Sequence, residues 1–391
     1  MFEIRFDPRK GIWAEEPEAV EKLIRNWFGE LEKGKGRVWL EPEEAMYLMA
    51  FQKAQCFMGE KEIGFNELAV HYIDKVPRLL IRYSAYRDWR DRGLIAKNFK
   101  EIKGRAAKGH KKYPARALKM RNLKLQALWY PRSMFAVVEK GGRELFEGHW
   151  FGQFGVYKQE RGELLKLNSF ETVFLARHFG LDVADPKGKA LRWRGILAQV
   201  TRQREWTKQL YGVYEDWRLN GFIVKTGFKF GSHFRIYFPG ASPVGEYIHS
   251  KHVLHVFPKE QKLLISEWAR AVRVAHGVKK TFLLGIPKLK KADMVEYPAD
   301  FLAYRRRKEK QGWVRETPGD SRPRYMLVAV SEDEHIGGVE LASLLHRAQE
   351  MGLELILSII DRESSITYYI LKKVALPGVK QEYYEIEWMR P

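Results

Sequence analysis

The sequence contains a single cysteine, Cys56, among its 391 residues. One cysteine excludes an intrachain disulfide and any cysteine-rich metal knuckle, and it is typical of a reducing compartment. No apolar run approaches the roughly 18 residues that are needed to cross a bilayer. The N-terminal residues, from Met1 to Lys10, also lack the apolar stretch of a signal peptide. These absences predict a soluble, cytoplasmic protein that is not associated with a membrane.

Two common catalytic signatures are also missing. The glycine-rich segment Gly227-Phe-Lys-Phe-Gly231 lacks the Gly-Lys-Ser/Thr of a P-loop, and the chain has no Gly-x-Ser-x-Gly nucleophile elbow. His249, His252 and His255 are three residues apart, a spacing that suits neither one helix face nor one strand face. Structural histidines are therefore favoured over a metal site, and we predict neither a metal nor another cofactor.

Basic residues are in clear excess. The chain has 69 Lys and Arg against 49 Asp and Glu, which gives a formal net charge of +20. A phosphate backbone is the commonest partner of such a field, because each phosphate that is neutralised releases a counterion. A generic basic surface is the alternative. An acidic membrane is less favoured, since no basic helix has a clean apolar face.

Half of this charge lies in residues 100–132, which hold eleven Lys or Arg and one acid, Glu101. Gly104, Gly109 and Pro114 argue against one continuous helix in this segment. The segment is typical of an interdomain linker. Its composition leaves open whether it lies on RNA or forms a solvated spacer.

Two pairs of segments repeat within the chain. Residues 272–286 match residues 345–359, and both predict the end of an amphipathic helix followed by an apolar strand, with another strand upstream. Residues 83–97 and 211–225 both predict a helix that ends at glycine and leads into a short strand. At an offset of 128, eight positions of this second pair are identical: Tyr83/Tyr211, Tyr86/Tyr214, Asp88/Asp216, Trp89/Trp217, Arg90/Arg218, Gly93/Gly221, Ile95/Ile223 and Lys97/Lys225.

These repeats predict a mixed α/β (α+β) fold built from duplicated N-type α/β domains and duplicated C-type domains with strand–helix–strand units. The arrangement is N–(N–C)–C. The predicted segments are a degenerate N-type unit (1–99), the basic linker (100–132), an N-type domain (133–229), a catalytic C-type domain (230–301), a charged connector (302–311) and a degenerate C-type domain (312–391).

Tyr237, His249 and Lys280 lie in three successive elements of the first C-type copy. Cleavage of RNA by its own 2′-hydroxyl requires from a protein only a base, an acid and a cation for the phosphorane charge. Taken singly, each residue is better explained as a strand aromatic, a loop histidine or a surface lysine. Together and in this order, the three favour RNA transesterification.

Residues 211–280 resemble the catalytic core of the archaeal tRNA-splicing endonucleases. The resemblance rests on three motifs in order: the run from Gly227 to Tyr237, the pair His249-Ser250, and the pattern Arg-x-Ala-His-x-Val-x-Lys that ends at Lys280. The repeats extend it to a fused, multi-unit form of the family. It implies a restriction-nuclease-like fold for the catalytic domain.

The resemblance also implies a role for each site residue. The implied catalytic residues are Tyr237 as general base, His249 as general acid and Lys280 as the stabiliser of the transition state. Three more residues are candidates for RNA binding: Arg273, which matches an arginine that stacks on a flipped base, together with Lys229 and Lys279.

The second C-type copy has lost this set. Its residues in register are Leu353 for Lys280, His346 for Arg273, Pro323 or a neighbour for His249, and Arg315 or Glu316 for Tyr237. The copy is therefore predicted to be structural. One complete site per chain, against two ends per intron, predicts a homodimer.

The implied activity is that of a tRNA-intron lyase. Such a metal-independent endoribonuclease excises introns from precursor tRNA at a bulge–helix–bulge and leaves 2′,3′-cyclic phosphate and 5′-hydroxyl ends. Two alternatives remain open: a non-catalytic RNA-binding scaffold and a metal-dependent DNA nuclease. The second is less favoured, because the sequence shows no convincing set of metal-binding carboxylates.

Overall fold

The computed structural model describes residues 2–104, 110–156, 159–244, 249–310 and 312–391. It shows a mixed α/β protein, as predicted. Within these ranges, no helix is long and apolar enough to cross a membrane.

The first hundred residues form a small α/β unit. Its mixed sheet has the strand order β3-β4-β2-β1-β5-β6. The elements are β1 (Phe2–Asp7), β2 (Gly11–Ala14), α1 (Pro17–Arg25), β3 (Glu30–Glu32), β4 (Arg37–Leu40), α2 (Pro42–Phe51), β5 (Ala54–Met58), β6 (Lys61–Ile63), α3 (Phe65–Tyr72), α4 (Leu79–Asp91) and β7 (Ala96–Asn98).

The next hundred residues form a second such unit, around a sheet of order β11-β12-β10-β9-β13. The elements are β8 (Lys111–Lys112), β9 (Gln126–Tyr130), β10 (Phe135–Val138), α5 (Arg143–His149), β11 (Gln153–Phe154), β12 (Leu165–Asn168), α6 (Ser169–His178), β13 (Asp182–Ala184), α7 (Trp193–Gln203) and α8 (Thr207–Leu219).

The remaining residues build the large sheet of the molecule. The elements are β14 (Ile223–Thr226), β15 (Phe234–Tyr237), β16 (His252–Val256), β17 (Lys262–Leu264), α9 (Ile265–Gly277), β18 (Thr281–Ile286), β19 (Phe301–Ala303), β20 (Arg306–Glu309), β21 (Gly312–Arg315), β22 (Tyr325–Ser331), β23 (His335–Gly337), α10 (Gly338–Glu350), β24 (Glu354–Ile360), β25 (Ile366–Ala375) and β26 (Glu382–Met389). Two 3-10 turns, Phe228–Phe230 and Lys291–Asp293, interrupt the loops.

The helices of the first repeat end as predicted. After α4 and α8, Gly93 and Gly221 adopt positive φ values of 72° and 82°. Only glycine enters this region without a steric cost, so the chain leaves each helix and turns into a strand, β7 or β14. The second repeat likewise gives a helix followed by a buried strand, α9 before β18 and α10 before β24.

The strand order of the large sheet is almost symmetric about its centre. Its order is β14-β15-β16-β18-β26-β25-β24-β22-β19-β7, with β8 pairing alongside β25. The two edge strands, β14 and β7, follow the two copies of the first repeat. We infer a pseudo-twofold axis between β26 and β25, which relates β15 to β19, β16 to β22 and β18 to β24.

Buried contacts show which parts of the chain pack together. One hydrophobic cluster joins residues from the first unit to strands β19, β22, β24 and β25. Another joins the second unit to β14, β15, β16 and β18, and it also includes Val374, Leu376 and Tyr383 from the C-terminal region. The first N-type unit therefore packs on the last C-type copy, and the second pair is inserted between them. Helices α9 and α10 cover the other face of the large sheet.

The segments predicted as linker and connector contain ordered structure. In the basic segment, Lys111 and Lys112 form β8, and Tyr113 is buried. Arg116 donates its backbone N–H to the carbonyl of Asn220, so the chain here lies against the C-terminal end of α8. Residues 105–109 of this segment lie outside the described ranges. The predicted connector, 302–311, contains part of β19 and all of β20.

The pairing of β19 corrects the register predicted for Tyr237. Ile223 pairs with Tyr237, and its repeat partner, Ile95, accepts a hydrogen bond from the backbone N–H of Tyr304 at 2.9 Å. Tyr304, rather than Arg315 or Glu316, therefore takes the place of Tyr237. The sequence alignment was wrong here because the hairpin β20–β21 is inserted after this position. His249 corresponds to Arg322, one residue from the predicted Pro323.

A buried lysine ties β14 to the second unit. Lys225 donates to the carboxylate of Glu171 at 2.7 Å and to the carbonyl of Gly152 at 3.0 Å. Glu171 also accepts the backbone N–H groups of Gly152 and Asn168, which closes the capping box at the start of α6. Burial lowers the pKa of Lys225, and Glu171 opposes that shift. The contact with Glu171 thus joins β14 to the start of α6.

We predict that Lys225→Met destabilises the protein by roughly 3–5 kcal/mol, because it leaves the Glu171 carboxylate buried without a cation. The double variant Lys225→Met/Glu171→Gln should lose less than the sum of the two single variants. Denaturant unfolding followed by circular dichroism measures both. Lys61→Met is the control, since the Lys61–Glu67 pair is exposed and should contribute less than about 1 kcal/mol. Equal losses for the buried and the exposed lysine would contradict this prediction.

Candidate active site

The three predicted catalytic residues lie at one edge of the large sheet, namely the edge formed by the ends of β15, β16 and β18. Tyr237 is the last residue of β15, which runs antiparallel to β16, so it lies beside the start of β16. His249 comes three residues before β16 begins. Lys280 comes directly before β18, which runs parallel to β16. Because all three strand ends meet at this edge, residues 43 positions apart in the chain are neighbours in the fold.

Lys280 reaches the loop that carries His249. Its ammonium donates to the backbone carbonyl of Ser250 at 2.6 Å, the residue immediately after the histidine. The same ammonium lies 5.4 Å from the centre of the Phe230 ring, in the first 3-10 turn. A phosphate that entered between the loop and the turn would therefore meet a cation whose position is already fixed.

The neighbouring lysine has a different position. Lys279 lies two residues after the end of α9, where it has a φ of 55° and is exposed. Lys280 follows it with its backbone N–H bonded to the carbonyl of Ala275 and its side chain half-buried. The geometry therefore supports Lys280, rather than Lys279, as the cation of the site.

Tyr237 is almost entirely enclosed. Its side chain is 1% exposed, and its ring centre lies 4.8 Å from that of Trp150, which belongs to the second N-type unit. The guanidinium of Arg235 lies 5.9 Å from the tyrosine ring. Sequence reasoning did not foresee this burial. A substrate could contact this side chain only if the residues that cover it moved.

His249, by contrast, is exposed. It lies at the end of the loop between β15 and β16, just after residues 245–248, which are outside the described ranges. Ser250 beside it is buried, and the backbone N–H of Thr281 donates to the carbonyl of Lys251. The loop is thus fixed to the sheet immediately after the histidine, whose imidazole faces solvent.

The candidate RNA-binding residues surround this edge. Lys229 is exposed in the 3-10 turn, next to Phe228, which is 87% exposed. Arg273 is exposed on α9, two turns before Lys280. Burial raises the pKa of the Tyr369 hydroxyl, and Arg273 opposes that rise by its charge and a hydrogen bond. The guanidinium therefore lies near the Tyr369 side chain of β25.

A buried polar network lies directly behind the edge. The hydroxyl of Tyr113 donates to the carboxylate of Glu385 at 2.7 Å and lies 3.1 Å from Nε2 of His252. Lys111 also donates to Glu385. Burial lowers the pKa of His252 to about 4, with help from the charges of Lys111 and Lys280 among others. Sequence reasoning missed Tyr113 and Glu385, since no local spacing connects them to the site.

His255 points to the opposite face of β16. Its ring centre lies 4.3 Å from that of His233, whose Nδ1 accepts the backbone N–H of Val256 at 2.9 Å. Burial lowers the pKa of His233 to about 3 and that of His255 to about 4. His252 and His255 thus pack on different faces. In the part of the chain that the structure describes, no group of three His, Cys, Asp or Glu is arranged to hold a metal ion.

These histidines predict acid sensitivity. Their folded-state pKa values lie below the ordinary value of 6.5, so folding favours the neutral ring, and stability falls as the pH drops below 6.5. Between pH 7 and 5, we expect a loss on the order of 2 kcal/mol per histidine. Unfolding by urea at the two pH values measures it. His255→Leu should reduce the loss, whereas His335→Gln, at an exposed position, should not. An unchanged loss in His255→Leu would refute this account.

The chain is similar to known RNA-processing enzymes. The model of the tRNA intron endonuclease catalytic C-terminal domain matches residues 207–297. The tRNA-splicing endonuclease of Methanopyrus kandleri is 35% identical over 138 residues, which cover 35% of this chain and 75% of that protein. That of Thermococcus kodakarensis is 30% identical over 171 residues, 44% of this chain and 94% of that protein. The relative from Methanosarcina mazei is 28% identical over 199 residues, and the match covers about half of each protein (51% and 52%). This chain belongs to the tRNA-splicing endonuclease family.

Proposed function

We propose that this chain cleaves precursor tRNA at both intron–exon junctions, within a bulge–helix–bulge, by attack of the RNA 2′-hydroxyl. The products are a 2′,3′-cyclic phosphate and a 5′-hydroxyl. The observation that carries the proposal is the meeting of Tyr237, His249 and Lys280 at one basic edge of the sheet. The family relation and the net charge of +20 agree with an RNA substrate.

Each residue has one task in this reaction. Tyr237 accepts the proton of the 2′-hydroxyl, and the 2′-oxygen forms a bond to phosphorus. The bond from phosphorus to the 5′-oxygen breaks, and His249 gives that oxygen a proton. The ammonium of Lys280, beside the carbonyl of Ser250, stabilises the charge on the non-bridging oxygens.

The assignment of Tyr237 has a structural requirement. Because the side chain is enclosed against Trp150, its hydroxyl becomes a base only when RNA binding uncovers it. A phenol also has a reference pKa near 10 and needs a nearby cation to act near neutrality. The guanidinium of Arg235, 5.9 Å from the ring, is positioned to supply part of that field.

The reaction can be tested with one substrate and one change in it. We expect the protein to cut a bulge–helix–bulge RNA in EDTA, which would eliminate both the scaffold and the metal-dependent DNA nuclease. A single 2′-deoxy substitution at the cleaved nucleotide should abolish cutting and leave binding nearly unchanged, because the nucleophile is gone. Gel analysis of labelled RNA measures both. Normal cutting of the deoxy substrate would contradict attack by the 2′-hydroxyl.

We predict that His249→Ala and Lys280→Ala each lower the single-turnover cleavage rate by at least about 100-fold, the scale of an acid–base or electrostatic contribution. Affinity for RNA should change little. Tyr237→Phe should give a similar loss, since phenylalanine keeps the contact with Trp150 and removes only the hydroxyl.

Lys279→Ala is the matched control for these variants, because Lys279 is adjacent to Lys280 but exposed. It should weaken RNA binding slightly and leave the cleavage step intact. If Lys279→Ala were the more damaging lysine change, the assignment of Lys280 would fail. If Tyr237→Phe cleaved normally, the tyrosine would be a structural residue and another group would be the base.

We further propose that the working enzyme is a homodimer. Each intron has two ends, and one complete set of Tyr, His and Lys is present per chain. Within one chain, the two C-type copies already pair with each other through β25 and β26. A second chain must therefore bind to another surface. Such an interface should bury more than about 1,000 Å².

Light scattering at several concentrations should give twice the chain mass of 45.9 kDa. Mixed dimers of wild-type and Lys280→Ala chains should cut a single splice site in each encounter with RNA. A fully active monomer at nanomolar concentration would refute the dimer and leave the assignment of the catalytic residues standing.

A further inference from the structure

The degenerate C-type copy carries a hairpin where the active copy carries its catalytic loop. In the active copy, the connection from β15 to β16 holds His249. In the degenerate copy, the equivalent connection, from β19 to β22, holds the two-stranded sheet β20–β21. The pseudo-twofold axis therefore places this hairpin at the counterpart of the active edge.

The base of the hairpin is fixed to the first N-type unit. Arg306 and Arg315 pair across its two strands. The guanidinium of Arg306 donates to the carbonyl of Arg92, and that of Arg315 donates to the carbonyl of Gly93 at 3.3 Å. The hairpin is therefore anchored at the C-terminal end of α4.

The outer part of the hairpin presents an aromatic ring and a cation together. Lys308 and Trp313 are directly opposite each other, two positions further along from the anchored arginines, so they lie on the same face of the hairpin. Trp313 is 69% exposed, and Lys308 is also exposed. The face of the indole, beside a cation, is therefore open to stacking by a flat aromatic group.

The charge of the segment indicates what kind of partner this is. Residues 305–315 contain six Lys or Arg and one acid, Glu309. This local excess of positive charge complements a polyanion. An RNA strand supplies both of the required groups, a base that stacks on the indole and phosphates that pair with the cations.

A basic cavity lies beside the hairpin. Its volume is about 480 Å³, and its lining includes Arg305, Arg322 and Arg324 together with Glu316 and Leu353. Arg305 pairs with Glu316, and Arg324 pairs with Glu354. Leu353 stands where the active copy has Lys280, and Arg322 where it has His249. The histidine and the lysine are replaced in this copy, whereas the tyrosine is retained as Tyr304. The guanidinium of Arg322, which donates to the carbonyl of Lys103, can bind a phosphate here.

We propose that the hairpin β20–β21 is a second RNA-binding element of the protein, in which Trp313 stacks on an unpaired base of the substrate and Lys308 binds an adjacent phosphate. The proposal rests on the proposed function, because it takes the same RNA as substrate. It assigns to the degenerate copy a role in holding RNA, in addition to its role in the sheet.

The test uses the full chain with the His249→Ala change, so that the RNA stays uncut. We expect Trp313→Ala to weaken binding of a fluorescent bulge–helix–bulge RNA by about tenfold, within the range for one stacked base. Trp313→Phe should keep most of the affinity. Lys308→Gln should reduce the slope of log K against log salt by about 1.

The control is Val70→Ala, which removes an apolar side chain of similar exposure from α3 of the first unit. Affinity in Trp313→Ala equal to that of Val70→Ala would overturn the proposal. The proposal would also be overturned if Trp313→Ala halved the mass measured by light scattering and left the affinity for RNA unchanged. The indole would then be a contact between chains. If the parental protein bound no RNA and the wild type cut none, the proposed function itself would fail. If the His249→Ala protein bound RNA normally and Trp313→Ala did not weaken that binding, only the role of the hairpin would be rejected.

Discussion

One buried ion pair connects each N-type unit to the large sheet. In the second unit, Lys225 of β14 binds Glu171 and the carbonyl of Gly152. In the first unit, Lys97 of β7 binds the carbonyl of Gly29 at 2.7 Å and lies 3.5 Å from Glu44. β14 and β7 are the two outermost strands of the large sheet. Each lysine therefore holds one outermost strand against its N-type unit.

The glycine in each pair is required by space. Gly29 and Gly152 have φ values of 63° and 69°, and an added Cβ would lie 2.4 Å and 2.6 Å from its nearest neighbour. A side chain would collide with Trp39 at the first position and with Leu165 at the second, so the turn that presents each carbonyl to its lysine requires glycine. The position of β15, and hence of Tyr237, depends on this contact through its pairing with β14.

A second repeated contact shows how the sheet is shared. Asp216 of α8 accepts a hydrogen bond from Tyr383 of β26 at 2.9 Å, and Asp88 of α4 accepts one from Tyr368 of β25 at 2.5 Å. Each N-type helix thus binds a different strand of the same C-terminal hairpin. The final strand, β26, completes the half of the sheet that holds Tyr237, His249 and Lys280, the proposed catalytic residues.

Much of this could be predicted from the sequence, because the repeats are local signals. The identities Lys97/Lys225 and Asp88/Asp216 marked both contacts before their partners were known. The partners could not be predicted, since Tyr383 is 167 residues from Asp216 and no periodicity connects them. The network of Tyr113, His252 and Glu385 was missed for the same reason.

The register of the degenerate copy failed for a different physical reason. A constant offset holds only while two copies have the same loop lengths, and the hairpin β20–β21 lengthens one connection. Backbone pairing does not depend on loop length, so it identifies Tyr304 as the counterpart of Tyr237. The burial of Tyr237 was equally hidden, because Trp150, which covers it, comes from the N-type unit rather than from its own domain.

The sheet also explains why a copy that lacks counterparts of His249 and Lys280 is retained. Strand β18, which follows Lys280, is buried along nearly its whole length and pairs with β26 on one side. Without β26, that edge would expose unpaired backbone groups beside apolar side chains, a surface prone to aggregation. Since β26 is reached only through β24 and β25, the catalytic copy needs the degenerate one to complete its own sheet. The second copy can lose the counterpart of Lys280 and still complete the sheet. Completing the sheet depends on backbone pairing and buried apolar area rather than on the side chains at the strand ends.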